Sequence, residues 1–288
     1  MQVSTTKVEA VSLEARYQLA CTLAREAGLR AHALFRTRDS LVVEHKGVQD
    51  VVSVADREIE QFIQTRVRAV FPQDAFLGEE TATVAGDLKS ERVIWVVDPI
   101  DGTSCFLNGM HSWCVSISVV LDGVPVIGAV YDPNSGELFH AAIGSGAYVN
   151  DELIRVHPAA TLRDGVLGVG FSHRVGSQAF IPFLARVLDE GGMFIRNGSG
   201  ALMIAYVAAG RLIGYYEPHI NSWDCLAGIV LVREAGGIVN DFLKGDGLTS
   251  GNVILAGGPA LYPLLARHID DTTHGLGPME PMTLVLGS

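Results

Sequence analysis

The feature that most constrains the fold is an uninterrupted apolar run at residues 93–97, most of it β-branched. Such a run predicts a buried strand. The strand ends in the segment DPIDGT at residues 98–103, because Pro99 has no N–H for a sheet ladder and Gly102 tolerates a positive φ. The segment therefore presents the carboxylates of Asp98 and Asp101, with a backbone carbonyl between them, at the end of a rigid strand.

Two carboxylates and a carbonyl form the set of oxygen atoms that hard divalent cations take as ligands. Mg²⁺ usually binds one or two carboxylates together with waters and phosphate oxygens. The alternative for either residue is an Asx-type turn, in which the Asp side chain bonds the backbone and closes the strand. The pair Asp98 and Asp101, followed by Gly102-Thr103, favours the metal site.

The composition is that of a globular chain, and it narrows the choice of partners. The 288 residues are 48% hydrophobic and 18% charged, so a sizeable core is expected. Acidic residues exceed basic ones by 32 to 21, giving a net charge of -11. We therefore expect no nucleic acid as partner, since its phosphates require Lys and Arg patches. A small phosphorylated metabolite is compatible with this charge, because bound cations reverse the local field.

The cysteines and the apolar segments indicate a cytoplasmic protein. The cysteines have no CxxC or zinc-type spacing and are interpreted as buried thiols of a reducing compartment: Cys21, Cys105, Cys114 and Cys225. Residues 1–10 mix acidic and basic side chains and lack the apolar core of a signal peptide. No window approaches the roughly 18 apolar residues of a membrane span, so no membrane partner is expected.

The first half of the chain predicts helices followed by an antiparallel meander. Helical spacing covers residues 13–35 and 56–70, short strands are predicted at 41–44 and 75–77, a turn at 45–47 and a mobile polar loop at 81–90. After the central strand, further strands are predicted at 113–121, 125–131, 137–142 and 146–149. Asp122-Gly123 is a hairpin signal, and Asn150-Asp151 is a second turn.

The second half alternates between strands and helices. Strands are predicted at 166–171, 192–195, 212–216 and 237–241, helices at 179–188, 200–210, 227–235 and 259–269, and a loosely held tail from residue 270. This alternation is typical of an α/β layered unit. We therefore predict an α+β domain over residues 1–155, carrying the main metal motifs, and an α/β domain over residues 156–288, carrying the substrate contacts and the last metal ligand.

Three further carboxylates lie at junctions between predicted elements, where functional sites collect. Glu79 follows a short apolar strand within Gly78-Glu79-Glu80. Asp224 precedes a helix, and the N-cap of that helix is an equally good explanation of it. Asp56 likewise fits the N-cap of the helix predicted to begin there.

The motifs at residues 78–80 (GEE), 98–103 (DPIDGT) and 223–228 (WDCLAG) resemble the signatures of the inositol monophosphatase family, which are lithium-sensitive, Mg²⁺-dependent phosphatases. Further matches at 50–56, 215–217 and 234–237 extend the resemblance over nearly the whole chain, to residue 260. It implies an α/β fold, a layered αβαβα sandwich of the sugar-phosphatase type, with the site where the two domains meet. It also implies hydrolysis of a small polyol or sugar monophosphate, such as inositol 1-phosphate.

The resemblance implies a ligand set for two or three Mg²⁺ ions. Glu79, Asp98 and the carbonyl of Ile100 would hold the first ion. Asp98, Asp101 and Asp224 would hold the second. A third, weakly held ion would bind near Glu79 through waters. Mg²⁺ would lower the pKa of a water and stabilise the attacking and leaving oxygens.

The same resemblance assigns catalytic and phosphate-binding roles. Thr103, oriented by Asp56, would align the attacking water, with Glu79 also in the catalytic group. The backbone N–H groups of Gly102, Thr103 and Ser104 would bind the phosphate oxygens in a nest.

Substrate contacts are implied at Gly198-Ser199-Gly200, at Glu217 and at Asp224. Gly198 to Gly200 open a helix of small residues, so an anion is also expected at that helix N-terminus on physical grounds. A solvated loop glutamate is the alternative explanation of Glu217.

Several positions depart from the family pattern and leave the substrate open. Ser104-Cys105 replaces the usual Thr-Asn, and Gly200 replaces the Ala of a Gly-Thr-Ala turn. Histidinol phosphate, 3′-phosphoadenosine 5′-phosphate and fructose 1,6-bisphosphate are therefore alternatives. The sequence shows no basic cluster for a second phosphate, which favours a monophosphate.

Two further expectations come from the resemblance. Members of the family are commonly homodimers, so a homodimer is expected here. Some bacterial members act on the transcription machinery, which makes an interaction protein the alternative to an enzyme. The complete ligand set favours the enzyme.

Overall fold

The computed structural model describes residues 2–38, 43–47, 50–81 and 88–270. The helices are α1 Gln2–Phe35, α2 Val54–Val70, α3 Thr103–Leu107, α4 Ile181–Asp189, α5 Gly200–Ala208, α6 Ser222–Glu234, α7 Gly247–Ser250 and α8 Tyr262–Asp270. The strands of the first half are β1 Val43–Gly47, β2 Asp50–Ser53, β3 Ala75–Gly78, β4 Val93–Asp101, β5 Cys114–Leu121, β6 Val124–Asp132, β7 Glu137–Ala142, β8 Ala147–Val149 and β9 Glu152–Leu153. Those of the second half are β10 Val166–Val169, β11 Met193–Ile195, β12 Gly214–Ile220, β13 Ile238–Val239 and β14 Asn252–Gly257.

The described strands form a large sheet, a smaller sheet and one hairpin. The large sheet has the order β3-β4-β5-β6-β7-β8-β9; β3 and β4 are parallel and the other pairs are antiparallel, which confirms the meander. The smaller sheet has the order β11-β10-β12-β14-β13, and β10 lies parallel to both β11 and β12. The carboxyl ends of these three parallel strands therefore meet at one edge of the smaller sheet.

Alternation along the strands produces the layers. In β4, Trp95 and Val97 pack with helices α1 and α2, whereas Ile94 and Val96 face α5 and α6 on the opposite side. In β12, Tyr215 faces the same α5 and α6 layer, and Tyr216 packs with α4 and α8. Successive side chains of a strand point to opposite faces, so each sheet is covered on both sides. The order is helices, sheet, helices, sheet, helices, which confirms the αβαβα sandwich.

The helices between the two sheets come from the second half of the chain. Buried residues of α5 and α6 share one apolar cluster with Val96 of the large sheet and Ile254 of the smaller sheet. The apolar core therefore continues from one sheet to the other. The division into domains at residue 155 stays a prediction.

Some sequence-based boundaries were wrong. The turn expected at residues 45–47 belongs to strand β1, and the helix expected from residue 13 begins at Gln2. Helix α6 begins at Ser222, five residues before the predicted start, because a capping box at Asn221 starts it. The tail was predicted from residue 270, but Asp270 is the last residue of α8. Residues 271–288 and most of the loop at 81–90 lie outside the described residues.

The hairpin signal at Asp122-Gly123 is confirmed. Both residues have positive φ (49° and 78°), as a two-residue turn between antiparallel strands requires. None of the helices that the structure describes is long and apolar enough to cross a membrane.

A buried ion pair joins helix α1 to the large sheet. Arg16 donates through Nε and Nη2 to the two carboxylate oxygens of Asp74, both at 2.7 Å, and Trp95 Nε1 donates to the same carboxylate at 2.8 Å. The side chains of Arg16 and Asp74 are only 13% and 5% exposed. The bidentate geometry makes this pair stronger than a typical surface pair, and burial makes the loss of either partner costly.

Replacing Asp74 with Ala should lower the free energy of unfolding by about 3–5 kcal/mol, because it removes the buried carboxylate that accepts from Arg16 and from Trp95. Urea unfolding measures the loss. The matched control is Glu26→Ala, which breaks the Glu26–Arg66 pair, also at 2.7 Å but with both side chains 42% exposed. That variant should lose no more than about 1 kcal/mol. Equal losses in the two variants would show that burial of the Asp74 pair has no energetic consequence.

Candidate active site

A cavity of about 750 Å³ lies between the carboxylate end of β4 and the loops of the smaller sheet. This volume suits a small ligand. The cavity is lined by all of the site residues expected from the sequence except Asp56: Glu79, Asp98, Ile100, Asp101, Gly102, Thr103, Ser104, Gly198, Ser199, Gly200, Glu217 and Asp224. Residues separated by more than one hundred positions in the sequence therefore share one pocket.

Three carboxylates meet at one wall of this cavity. Asp98, Asp101 and Asp224 each offer an oxygen, and these oxygens lie within 4.8 Å of one another. The pairing of β4 with β5 shifts register between Asp98 and Asp101, so β4 has a bulge between the two carboxylates. Asp98 Oδ1 also accepts from Ile100 N at 2.9 Å. Asp98 therefore forms an Asx-type hydrogen bond and also belongs to the carboxylate cluster.

Burial and mutual repulsion perturb these carboxylates. Burial, followed by repulsion from Glu79, Asp101 and Asp224, raises the pKa of Asp98 well above its ordinary value. Burial and then the charge of Asp101 raise the pKa of Asp224 to about 7. A bound cation removes both penalties, since it supplies the missing opposite charge. Clustered carboxylate oxygens are also the donors that Mg²⁺ prefers, so the residues fit a magnesium site.

Asp101 is held by the N-terminus of helix α5. Its Oδ2 accepts from Ser199 Oγ at 2.5 Å and from Ala201 N at 2.7 Å, and Ser199 caps the helix by accepting from Leu202 N. Burial raises the pKa of Asp101 to about 6, and these hydrogen bonds oppose the rise. The anion expected at this helix N-terminus is therefore the carboxylate of Asp101, which the sequence analysis did not foresee.

Asp224 lies inside the first turn of α6, so its interpretation as an N-cap was wrong. The N-cap is Asn221, and Asp224 Oδ2 accepts from the backbone N–H of Asn221 at 3.2 Å. This contact is half of a capping box. It fixes the rotamer of Asp224 while the carboxylate still lines the cavity.

Thr103 and Asp56 are in contact although 47 residues separate them. Thr103 Oγ1 lies 3.1 Å from Asp56 Oδ1 and 3.1 Å from the carbonyl of Ile100. One hydroxyl proton serves one acceptor at a time. Asp56 is buried and lies inside α2, which begins at Val54, so it is not the N-cap of that helix.

Gly102 makes the turn before α3 possible. Its φ is 98°, and a Cβ there would lie 2.7 Å from the carbonyl oxygen of Ser112. The N–H groups of Thr103 and Ser104, in the first turn of α3, have no acceptor within the helix. They are therefore available to the oxygens of a ligand in the cavity.

Glu217 lies in strand β12 and is 8% exposed, so the alternative of a solvated loop glutamate was wrong. Tyr215 donates its hydroxyl to Glu217 Oε2 at 2.6 Å. Gly170 passes directly over this carboxylate, where a Cβ would collide with Glu217 and the Tyr215 hydroxyl. Burial raises the pKa of Glu217 to about 8, and the hydrogen bond from Tyr215 opposes the rise.

The sequence analysis missed the cationic side of the cavity. Arg174, Arg196 and His173 line it, and so does His219, whose place in the sequence close to Trp223-Asp224 had suggested a substrate contact. Arg196 directly follows the strand predicted at 192–195, and this position after a strand was the one available signal. The two arginines are far apart in sequence, which concealed the cluster.

Replacing Glu217 with Gln should make stability less sensitive to pH. The folded pKa of Glu217 exceeds the unfolded value of 4.5, so its protonation stabilises the fold below pH 4.5 and that contribution is lost as the pH rises through 8. Between pH 4.5 and 8, the free energy of unfolding of Glu217→Gln should increase relative to that of the wild type by up to about 1.4 kcal/mol per pH unit. Urea unfolding in EDTA measures it. The exposed Glu152→Gln is the control and should parallel the wild type; a parallel Glu217→Gln curve would contradict the shift.

Comparisons with known proteins identify the family of this chain. The family model for the inositol monophosphatase family matches residues 12–274. The Nus factor SuhB of Escherichia coli (strain K12) is 35% identical over 261 residues, 90% of this chain and 97% of that protein. The inositol-1-monophosphatase of Mesorhizobium japonicum is 37% identical over 248 residues, 85% and 92% of the two chains. The crystal structure of extragenic suppressor protein SuhB from Bartonella henselae has a TM-score of 0.82 at 35% identity, covering 90% of this chain and 100% of that one.

These relatives carry names of two kinds, inositol phosphatase and Nus factor. The expectation of a small phosphorylated substrate is in keeping with the family, whereas the expectation that nucleic acid is not a partner is not confirmed, since similar proteins are named as Nus factors. The family model and relatives that are at least 35% identical extend over most of the chain. The chain belongs to the inositol monophosphatase family and is a phosphoric monoester hydrolase.

Proposed function

We propose that this phosphatase hydrolyses the phosphate ester of a small polyol or sugar, of the inositol 1-phosphate type, in a Mg²⁺-dependent reaction. The observation that carries the proposal is the cluster of Asp98, Asp101 and Asp224, whose oxygens lie within 4.8 Å at the wall of a ligand-sized cavity. The relative from Mesorhizobium japonicum that is named inositol-1-monophosphatase supports this substrate class.

The proposed cation ligands are the side chains of Glu79, Asp98, Asp101 and Asp224 and the carbonyl of Ile100. Glu79, Asp98 and Ile100 would hold one Mg²⁺, Asp98, Asp101 and Asp224 a second, and a third would bind near Glu79. When bound, these ions lower the pKa of a water and stabilise negative charge on the attacking and leaving oxygens. Asp101 and Asp224 need no rearrangement for this role, because their hydrogen bonds to Ser199 and Asn221 already hold their rotamers.

Thr103 and Asp56 would orient the attacking water. When the Thr103 hydroxyl donates to Asp56 Oδ1, its lone pairs are free to accept a hydrogen bond from that water. The carbonyl of Ile100 is then released for a cation. The N–H groups of Gly102, Thr103 and Ser104 would bind the phosphate oxygens, since a turn with positive φ followed by a helix N-terminus forms an anion nest.

The polyol would lie against the smaller sheet. Glu217, presented by β12 and held by Tyr215, would bind substrate hydroxyl groups, and Gly198, Ser199 and Gly200 would form the neighbouring wall. Histidinol phosphate, 3′-phosphoadenosine 5′-phosphate and fructose 1,6-bisphosphate are alternatives, because their hydrolysis requires the same carboxylate cluster.

The test is phosphate release from a panel of phosphomonoesters, with and without Mg²⁺, by the wild type and Asp98→Asn. We expect release that requires Mg²⁺ and falls at least about 100-fold in the variant, because substitutions beyond the ligands alone cost 10- to 100-fold at metal sites. The exposed Asp151→Asn is the control and should keep full activity. Absence of Mg²⁺-dependent release from every substrate would contradict the proposal.

A binding role in transcription is the second candidate, favoured by relatives that are named Nus factors. If the chain has this binding role, immobilised RNA polymerase should retain the Asp98→Asn variant and the wild type to the same extent. A cytoplasmic location, expected from the sequence, agrees with either role and stays a prediction. Retention that depends on Asp98 would tie binding to the phosphatase site and remove the case for a separate role.

We propose that two copies of the chain associate through an apolar face on α4 and the sheet-edge strand β11. Its exposed side chains are Ile181, Leu188, Met193, Phe194 and Ile195. An exposed apolar patch on a sheet edge is unfavourable in a monomer.

Light scattering should give twice the chain mass of 30.8 kDa for the wild type and the monomer mass for Met193→Glu. The matched control is Leu153→Glu, on the edge strand β9 of the large sheet, where Leu153 is 53% exposed. It should remain dimeric. A monomeric wild type would contradict the association, and dissociation by Leu153→Glu alone would place the interface elsewhere.

A further inference from the structure

The thiol of Cys105 joins helix α3 to a segment that lies 92 residues further along the chain. Its Sγ donates to the carbonyl oxygen of Asn197 at 3.3 Å, and Cys105 is only 7% exposed. Asn197 lies between strand β11 and helix α5. The next residue, Gly198, has a φ of 101°, and a Cβ there would lie 2.5 Å from Cys105 Sγ. The β11–α5 connection therefore packs directly against α3.

Asn197 closes the turn that leads into α5. Its Oδ1 accepts a hydrogen bond from Ser199 N at 2.9 Å, which is an Asx-type contact with the residue two positions on. Its own N–H points to the sulfur of Met203 at 3.4 Å. Ser199 is the N-cap of α5, and its hydroxyl donates to Asp101 Oδ2 at 2.5 Å. The direction of that hydroxyl therefore depends on the turn that Asn197 closes.

These contacts form a closed ring around the turn after β4. Along the chain, Asp101 is followed by the proposed phosphate nest at residues 102–104 and then by Cys105. The return path runs from Cys105 to Asn197, then to Ser199, and from the Ser199 hydroxyl to Asp101 Oδ2. The nest and the carboxylate of Asp101 are consequently held by the same two residues, Cys105 and Asn197.

Asn197 differs from Cys105 in its relation to the cavity. Cys105 lines the cavity, whereas Asn197 is not among the described residues that line it. Arg196 and Gly198, on either side of Asn197, are exposed, so the contacts of Asn197 and Cys105 order an otherwise exposed connection. A change in the side chain of Asn197 therefore reaches the site only through the turn.

We propose that Cys105 and Asn197 are positioning residues that fix the N-terminal turn of α5 against α3 and thereby hold Asp101 in the orientation in which it binds Mg²⁺. This inference rests on the proposed function, in which Asp101 is a cation ligand. Hydrogen bonds that orient a metal ligand in advance lower the cost of ordering it when the ion binds. Residue 105 is also a position at which this chain departs from the family pattern, so the thiol contact is a feature of the chain itself.

The test is the dissociation constant of Mg²⁺, measured by titration calorimetry without substrate. Asn197→Ala should raise it about 10-fold, because partners that orient metal ligands contribute about 10- to 100-fold to affinity. Cys105→Ala should raise it about threefold, since a thiol is a weak donor. Asn197→Ser and Cys105→Ser keep an acceptor and a donor, respectively, and should recover most of each loss. The double variant Cys105→Ala/Asn197→Ala should lose little more than Asn197→Ala, because both residues act on one turn.

Urea unfolding in EDTA separates this role from a purely structural one. The control is Cys21→Ala, which removes the same thiol from a partly buried place in α1, outside the cavity. It should lower the free energy of unfolding and leave the dissociation constant of Mg²⁺ unchanged. An unchanged constant in the double variant would overturn the proposal, whatever its stability. Additive losses of affinity in the double variant would also overturn it, since they would show two independent contacts.

Phosphate release from inositol 1-phosphate distinguishes failure of this inference from failure of the proposed function. Asn197→Ala should require more Mg²⁺ for half-maximal release, and saturating Mg²⁺ should restore its kcat close to that of the wild type. If the wild type binds Mg²⁺ with this dependence on Asn197 but hydrolyses no ester, the proposed function fails while the positioning role stands. A wild type that binds no Mg²⁺ would overturn both.

Discussion

Repulsion among buried carboxylates is the constraint on which the site depends. Like charges within 4.8 Å in a place of low dielectric are costly, and the raised pKa values of Asp98 and Asp224 express that cost. The fold accepts it because each carboxylate has a separate support. A strand bulge presents Asp98, the N-terminus of α5 holds Asp101, and a capping box holds Asp224. A bound cation relieves this repulsion, and that relief favours cation binding. The electrostatic strain and the proposed metal-dependent chemistry therefore have the same origin.

The layered architecture explains why the site lies where it does. Helices α5 and α6 pack between the sheets, and their N-terminal turns deliver Ser199 and Asp224 to the end of β4. The large sheet thus supplies rigid carboxylates, while strand β12 of the smaller sheet supplies Glu217 and the loops of that sheet supply the arginines. In such a site, the carboxylates of the large sheet can stay the same while the substrate-binding residues of the smaller sheet vary.

Much of the fold was accessible from periodicity. The apolar run at 93–97 became β4, and the alternation in the second half became the strands and helices of the smaller sheet, with most boundaries shifted by a few residues. Errors fell where local rules compete. Residues 45–47 resembled a turn but pair with β2, and Glu217 resembled a loop residue but continues β12. In each case pairing with a neighbouring strand overrode the local signal, and such pairing is invisible in a single segment.

The sequence by itself determined the family and the carboxylate motifs, because these depend on short-range patterns and on side-chain type, and the order of the layers followed from the family resemblance. Only the tertiary structure decided which groups act on one another. It placed Asp101 on the N-terminus of α5, set Thr103 against Asp56 and joined Arg174 with Arg196 at one cavity. The reason is physical: hydrogen bonds and charge interactions act over a few ångströms, and sequence separation does not determine which distant residues come within that range.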